Sequence, residues 1–243
     1  MSLRKIIFPL LGLIGSLFCV NASYADIVIS GTRVIYPEKV KSVSVKLDNH
    51  GQKPLLVQSW IDDGRENVNP QELNVPFMVT PPVSRIDPDK GQTIKIAYLG
   101  STLPQDKESM FWLNVLEIPP KPSSDADQNI LQLAFRTRIK VFFRPTGLKG
   151  SAADAIPALK WKARSTQQGW YLDVSNPSSF HVSFSKVSLV SGKSRYEVES
   201  QTVKPGETQS FKIQGLTALS AGSKIECIAF NDYGGTIKSE ITL

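Results

Sequence analysis

The chain reads as an all-β protein made of two immunoglobulin-like β-sandwich domains. Three features predict this. Short apolar runs recur from end to end with turn residues between them. No stretch long enough for a surface helix carries a helical period. Composition shifts once, after Arg144-Pro145, at the small, polar, glycine-bearing stretch Thr146–Asp154. One set of strands before that break and another after it suit two antiparallel sandwiches. The expected boundaries are 1–25 for a leader, 26–146 for the first domain and 147–243 for the second.

The leader comes first. Arg4 and Lys5 precede the apolar run Ile6–Val20, and Ser23-Tyr24-Ala25 closes it with a small–x–small signature. This is the pattern of a secretory signal peptide. The run is about 15 residues, short of the ~20 a membrane helix needs; a retained anchor is the alternative. Bulky Phe18 before Cys19 argues against a lipoprotein signal. The mature chain is expected to begin near Asp26 and not to be membrane-embedded.

The first domain opens on Ile27-Val28-Ile29, then Val43, Val45 and Leu47 alternate up to the turn Asp48-Asn49-His50-Gly51. Leu55–Ile61 ends at Asp62-Asp63-Gly64. Phe77-Met78-Val79 runs into Thr80-Pro81-Pro82, where a paired-proline turn predicts one cis bond, since cis bonds are nearly confined to X–Pro. Ile86 leads to the turn Asp87–Gly91, then Thr93–Tyr98 and Phe111–Ile118, closed by Pro119-Pro120. Lys121–Asn129 is a polar hairpin loop. In the second domain the expected strands are Ala158–Trp161, Trp170–Val174, Val182–Val187, Phe211–Ile213, Ile225–Phe230 and Ile237–Leu243.

Leu131–Pro145 is the most informative segment. Leu131, Leu133, Phe135, Thr137, Ile139, Val141 and Phe143 hold every second position, while Gln132, Arg136, Arg138, Lys140 and Arg144 mostly fill the other parity. Period two over this length is a long strand with one apolar face. Such a face either belongs to the chain's own core or pairs with another chain, because a long apolar edge is otherwise an aggregation hazard.

Signs of catalysis are sparse. The formal charge is +6; the leader carries two of those cations and no acid, which leaves +4. This mildly basic balance does not by itself imply nucleic acid. His50 and His181 stand alone, without cysteines or carboxylates at metal-ligand spacing. No strand–elbow–helix serine motif or phosphate-binding glycine loop is present. No enzyme activity, metal or cofactor is expected. Cys227, the one cysteine beyond the leader, lies in the apolar run Ile225–Phe230 and reads as a buried small hydrophobe.

Several segments in one order carry a resemblance. They are Gly31–Pro37, Gln58-Ser59-Trp60, Thr80-Pro81-Pro82, Leu103–Ser109 ending in Phe111-Trp112, Leu131-Gln132-Leu133, Arg138-Ile139-Lys140 through Arg144-Pro145, Asn176-Pro177 with Phe180, and Asn231–Gly235. Together the chain resembles the periplasmic pilus chaperones of the chaperone–usher pathway. The resemblance implies two immunoglobulin-like domains set like a boomerang, in the periplasm. It implies clients that are pilin subunits lacking their last strand, and delivery of them to an outer-membrane usher. The donor strand would be Leu131, Leu133, Phe135, Thr137 and Ile139. Arg33 and Lys140 would anchor the pilin's terminal carboxylate, and Glu108, Arg144 and Asp232 would link the domains. Ile29, Thr32 and Val83 would form a small usher-facing patch. Lys140 has the opposite parity from Leu131–Phe135, which needs either a bulge or use of the other strand face. Lys95 departs from the arginine some relatives carry. The short loop and the lack of flanking cysteines resemble the short-loop branch. The rival reading is a secreted two-domain binding protein or adhesin that recognises ligands with its loop tips.

Overall fold

The computed structural model describes residues 26–100, 102–121 and 132–243. The expected leader, most of the expected loop at 121–129, and Leu131 lie outside these residues. Strands in the first domain are β1 (Ile27–Ile29), β2 (Arg33–Pro37), β3 (Ser42–Asn49), β4 (Leu55–Asp62), β5 (Phe77–Thr80), β6 (Val83–Ile86), β7 (Gly91–Tyr98), β8 (Ser109–Ile118) and β9 (Phe135–Arg144). They form two sheets, ordered β1-β3-β7-β5 and β2-β9-β8-β4-β6. The second domain holds β10 (Lys160–Thr166), β11 (Gly169–Ser175), β12 (Phe184–Ser191), β13 (Ser194–Val198), β14 (Thr208–Lys212), β15 (Lys224–Phe230) and β16 (Thr236–Thr242). Its sheets are β10-β11-β14 and β13-β12-β15-β16. The chain is a two-domain β-sandwich protein, and no described helix is long and apolar enough to cross a membrane.

Each domain closes on its own core. In the first, alternate residues of every long strand point inward, and Tyr36, Phe77, Tyr98, Phe111 and Phe143 meet at one end. Tyr36 is fully buried, yet its hydroxyl is satisfied: it is shared between the Val40 and Lys41 carbonyls and accepts from Tyr98 N. The second core gathers Leu172, Val174, Leu189, Phe211 and Ile225 around Cys227. Burial pushes the Cys227 thiol up to about 11, as for an inert core residue.

Three features differ from the sequence expectation. The first sandwich is not wholly antiparallel, because β2 runs parallel to β9, with Arg33 opposite Lys140 and Pro37 opposite Arg144. The stretch expected as a linker contains a helix, α1 (Ala152–Ala158). Ser151 caps it: its hydroxyl accepts from Asp154 N, and the Asp154 carboxylate accepts from Ser151 N. The hairpin strand β13 also had no prediction, since Ser194–Val198 shows little apolar alternation. The Thr80–Pro81 bond is cis.

Strand β9 is shorter than its sequence pattern and has two different halves. Its partner β8 runs the full length, from Ser109 opposite Phe143 to Glu117 opposite Phe135. On the other side β2 reaches only from Lys140 to Arg144. Phe135–Ile139 is therefore an open sheet edge among the described residues. Leu133 and Phe135 are 56% and 51% exposed, whereas Ile139, Val141 and Phe143 of the same parity are buried in the first core. The Ile139 side chain is thus core, not free to enter a client, although its backbone edge stays open: it packs in the first core, while β2 pairs only from Lys140 onward. Ile139→Ala should cost about 2–5 kcal/mol, whereas Phe135→Ala should leave the thermal melt within about 0.5 kcal/mol of wild type. Paired melting curves check this.

Candidate functional site

The even-numbered face of β9 turns away from the core. Its register with β8 is unbroken, so no bulge is needed: Lys140, Phe142 and Arg144 use the other face of the strand and meet the second domain. Parallel pairing with β2 sets Arg33 beside Lys140, though the two residues lie far apart in sequence.

These two cations are held without direct contact to a carboxylate, although Asp232 acts on Arg33 from a distance. Neither forms a salt bridge among the described residues. The Arg33 guanidinium lies 4.8 Å from the Phe230 ring centroid and 5.9 Å from that of Phe142. Its Nε is buried without a hydrogen-bond partner. Burial lowers its pKa, opposed by Asp232. Lys140 Nζ donates only to hydroxyls, Thr202 Oγ1 at 2.6 Å and Ser183 Oγ at 3.2 Å, and sits 5.5 Å from the Trp112 ring centroid. Burial, and then the nearby charge of Arg33, push Lys140 down to about 8. A cavity of about 480 Å³ opens on Lys140, lined also by Met110, Trp112, Thr202 and Lys204. Two partly desolvated cations side by side, next to hydroxyl groups, favour a carboxylate: guanidinium gives a planar fork and ammonium a point charge.

A second set of charges is fully compensated. Arg144 Nε donates to Glu108 Oε1 at 2.8 Å, and its two terminal nitrogens reach both Asp232 oxygens at 2.7 and 2.8 Å. Burial opposes the Arg144 charge, but hydrogen bonds and attraction from Asp232 and Glu108 outweigh it and raise its pKa. Glu108 is 4% exposed and also accepts from His181 N at 2.8 Å. Arg144 stacks on Phe180, 5.2 Å from its centroid. Asn176 shapes the loop that carries Phe180 and His181, donating to the Phe180 and Val203 carbonyls. The structure thus brings Glu108, Arg144 and Asp232 together across the two domains. Sequence reasoning named Phe180 among the matching residues without giving it a role, and it missed His181 as part of this junction. Gly234, at φ 81°, has the left-handed backbone that favours glycine, and an added Cβ would also push on Thr32 Oγ1 at 2.6 Å across the domain junction.

Sequence reasoning also missed what holds the outer face of β9. Arg138 donates to both oxygens of Asp62, which is buried, and to Glu66, and it lies over Trp112 at 4.7 Å. Thr137 is half-buried, between the exposed and core parts of the strand. Ile29, Thr32 and Val83 are not brought together. Ile29 is on β1, an edge of the four-stranded sheet; Thr32 precedes β2 at one edge of the five-stranded sheet; Val83 begins β6 at the opposite edge. Four strand spacings are roughly 19 Å. Val83 instead shares the outer sheet face with Leu56 and Ile118, through the pairings Gln58↔Val83 and Leu56↔Ile118.

Two cations without a salt bridge among the described residues thus stand at the foot of an open strand edge. Residues 26–149 match the pili and flagellar-assembly chaperone model, PapD N-terminal domain, and residues 154–241 match the pili assembly chaperone PapD C-terminal domain. The chain is 50% identical over 226 residues to the "Probable fimbrial chaperone YadV" of Escherichia coli, covering 92% of each. It is 39% identical over 218 residues to the chaperone protein FimB/FhaD of Bordetella pertussis, covering 88% of this chain and 86% of that one. The crystal structure of the YadV chaperone superposes with a TM-score of 0.79 at 47% identity, covering 90% of this chain and all of the other. The chain belongs to the PapD family of pilus-assembly chaperones, which are not enzymes.

Two outcomes are expected. Arg144→Met leaves buried Glu108 unpaired and should cost about 3–5 kcal/mol, read as a lower melting temperature; an unchanged melt would mean that the network contributes little to stability. Lys140 has a folded pKa near 8, below its ordinary ~10.4. Its charge therefore penalises folding below pH 8, and the penalty fades as pH rises through 8 toward 10.4. Lys140→Met should raise the melting temperature at pH 7 by about 2–4 °C, the shift ~1 kcal/mol produces at this size, and by much less at pH 10.

Proposed function

We propose that this protein is a periplasmic chaperone that captures pilin subunits, completes their fold with its β9 edge and hands them to an outer-membrane usher. The observation that carries this reading is the Arg33–Lys140 pair, without a salt bridge among the described residues and set in register beside the open half of β9. A client's terminal carboxylate would be gripped there, which fixes where its chain starts. The strand leading up to that carboxylate would then run along the open edge Phe135–Ile139, whose free backbone groups it would pair with. Leu133 and Phe135, with Leu131 continuing the same parity, would fill the apolar groove of an incomplete sandwich. Each side chain fully buried is worth roughly 1.5–3 kcal/mol. Pilus chaperones are themselves a type case of β-strand addition, so that mode is taken from the family.

The compensated network has the other role. Held by Arg144, the two domains would keep the cleft at a fixed width, so that the anchor and the strand act on one client together. An usher must meet a surface that the client leaves free. The outer sheet face at Leu56, Val83 and Ile118 suits this: Leu56 and Val83 are 44% and 48% exposed, and Pro54, Pro119 and Pro120 line a shallow hollow there.

The test is co-purification from periplasm, with bound chains identified by mass. Arg33→Ala and Lys140→Ala should each lower client retention about 30-fold or more, from the ~2–5 kcal/mol cost of removing one partner of a buried charge pair, while the free proteins stay folded. Normal retention by both variants overturns the anchor. Binding of a client with an amidated carboxyl terminus as tight as that of the native client does the same.

A further inference from the structure

Glu117 is out of place for a surface carboxylate. It lies on β8 between Val57 of β4 and Phe135 of β9, on the inward face, and is 3% exposed. Its Oε2 accepts from Ile27 N at 3.2 Å, and the backbone of Asp26 also hydrogen-bonds to the carboxylate. Its Oε1 is buried with no partner at all. Among the described residues Asp26 is the one charged group acting on it, and that charge is of the same sign; burial and then this repulsion push its pKa up, against the two backbone hydrogen bonds. No cation on β4, β8 or β9 answers it. A buried carboxylate with one orphaned oxygen calls for a partner, and a cation there would remove the cost of burying its charge.

Asp26 is seated as if its position mattered. Its carbonyl accepts from His50 N at 2.8 Å. Its side chain packs where a Cβ on Gly51 would come within 2.4 Å of Asp26 Cγ, so only glycine leaves room. From Asp26 the chain enters β1, paired with β3 from Ile27 opposite Asn49 to Ile29 opposite Leu47.

We propose that Glu117 receives the chain's own processed amino terminus. The inference rests on the export reading, with cleavage between Ala25 and Asp26. Hydrolysis of that bond by a leader peptidase adds one water; Ala25 leaves with the new carboxylate, and Asp26 keeps an amine that takes up a proton at neutral pH. The resulting α-ammonium closes a buried ion pair with Glu117. In the precursor the same nitrogen is a neutral amide and cannot do so. Since Glu117 stands opposite Phe135, the pair fixes β1 against the sheet at the client-facing end of β8 and β9. Maturation of the leader and setting of the donor edge thereby become one event.

The test uses full mature protein purified from periplasm, with the start of the chain read by intact mass. The Asp26 α-amino pKa is then followed by the pH dependence of amine labelling. It should stand at least about one unit above the ordinary ~7.7–8.0, and return to that range in Glu117→Gln. One extra residue before Asp26 should lower the wild-type melting temperature and leave that of Glu117→Gln unchanged, so the two changes are non-additive. Gly51→Ala, which pushes Asp26 aside, should lower the α-amino pKa without touching Glu117. An α-amine with an ordinary pKa in a chain that begins at Asp26 overturns the proposal and leaves the export reading intact. A chain that keeps residues before Asp26 overturns both the cleavage position and the proposal.

Discussion

Everything at the binding site follows from the unequal company that β9 keeps. A strand needs a partner on each side, and β9 has two only from Lys140 onward. The short β2 supplies the second and also carries Arg33, so the point where the edge closes is the point where the cations stand. Toward the other end the same odd-numbered face leaves the core and meets solvent at Phe135. One alternating strand thus serves as core wall and as exposed ledge. The exposure is confined: Arg138, tied to Asp62 and Glu66, and Arg136, bonded to the Glu66 carbonyl, hold down the outer face, so that the apolar inner side and the backbone edge are what remain accessible. Long flat edges normally invite indiscriminate pairing; here charge on one face and a five-residue closing strand limit how much edge is on offer.

Much of this was legible in the residues, but unevenly. Period two in Leu131–Phe143 identified the strand and its face without reference to any relative. It could not say where along the strand that face passes from solvent to core, because this depends on how far the facing sheet covers it, a property of other segments. Ile139 was misread for that reason. The parallel pairing of β2 was equally hidden: Arg33 and Lys140 are ordinary cations in isolation, and only a contact between distant segments turns them into a pair. Family resemblance supplied what periodicity could not, including Glu108, Arg144 and Asp232. For Ile29, Thr32 and Val83 it was the sole guide, since these are common strand residues with nothing local to distinguish them. The helix after Ser151 was readable from its Ser-x-x-Asp capping pattern, but one helix of seven residues ending around Pro157 leaves little periodic trace.

The cleft holds two kinds of charge, and the contrast assigns their tasks. Arg144 has every donor directed at a carboxylate, a ring beneath it and a raised pKa, as a structural cation should. Arg33 and Lys140 are held down by burial and touch rings and hydroxyls, with Asp232 acting on Arg33 only from a distance. Placing charge where it destabilises the free protein is a common mark of a functional site, since the missing stabilisation returns when the ligand arrives. The same logic extends to Glu117, with the difference that its missing partner belongs to the chain itself.

Gly234 against Thr32, together with Glu108 and Arg144 from one half and Asp232, Phe180 and His181 from the other, has a consequence for how such proteins can diversify. The junction is written in both domains at once, in complementary letters. Halves from two relatives are not interchangeable parts unless both carry the same lettering. Recombination at the gap between the domains would preserve each sandwich and still produce a chimera whose joint does not close. The exposed ledge of β9 lies outside this joint, so its side chains can change without disturbing how the two halves meet.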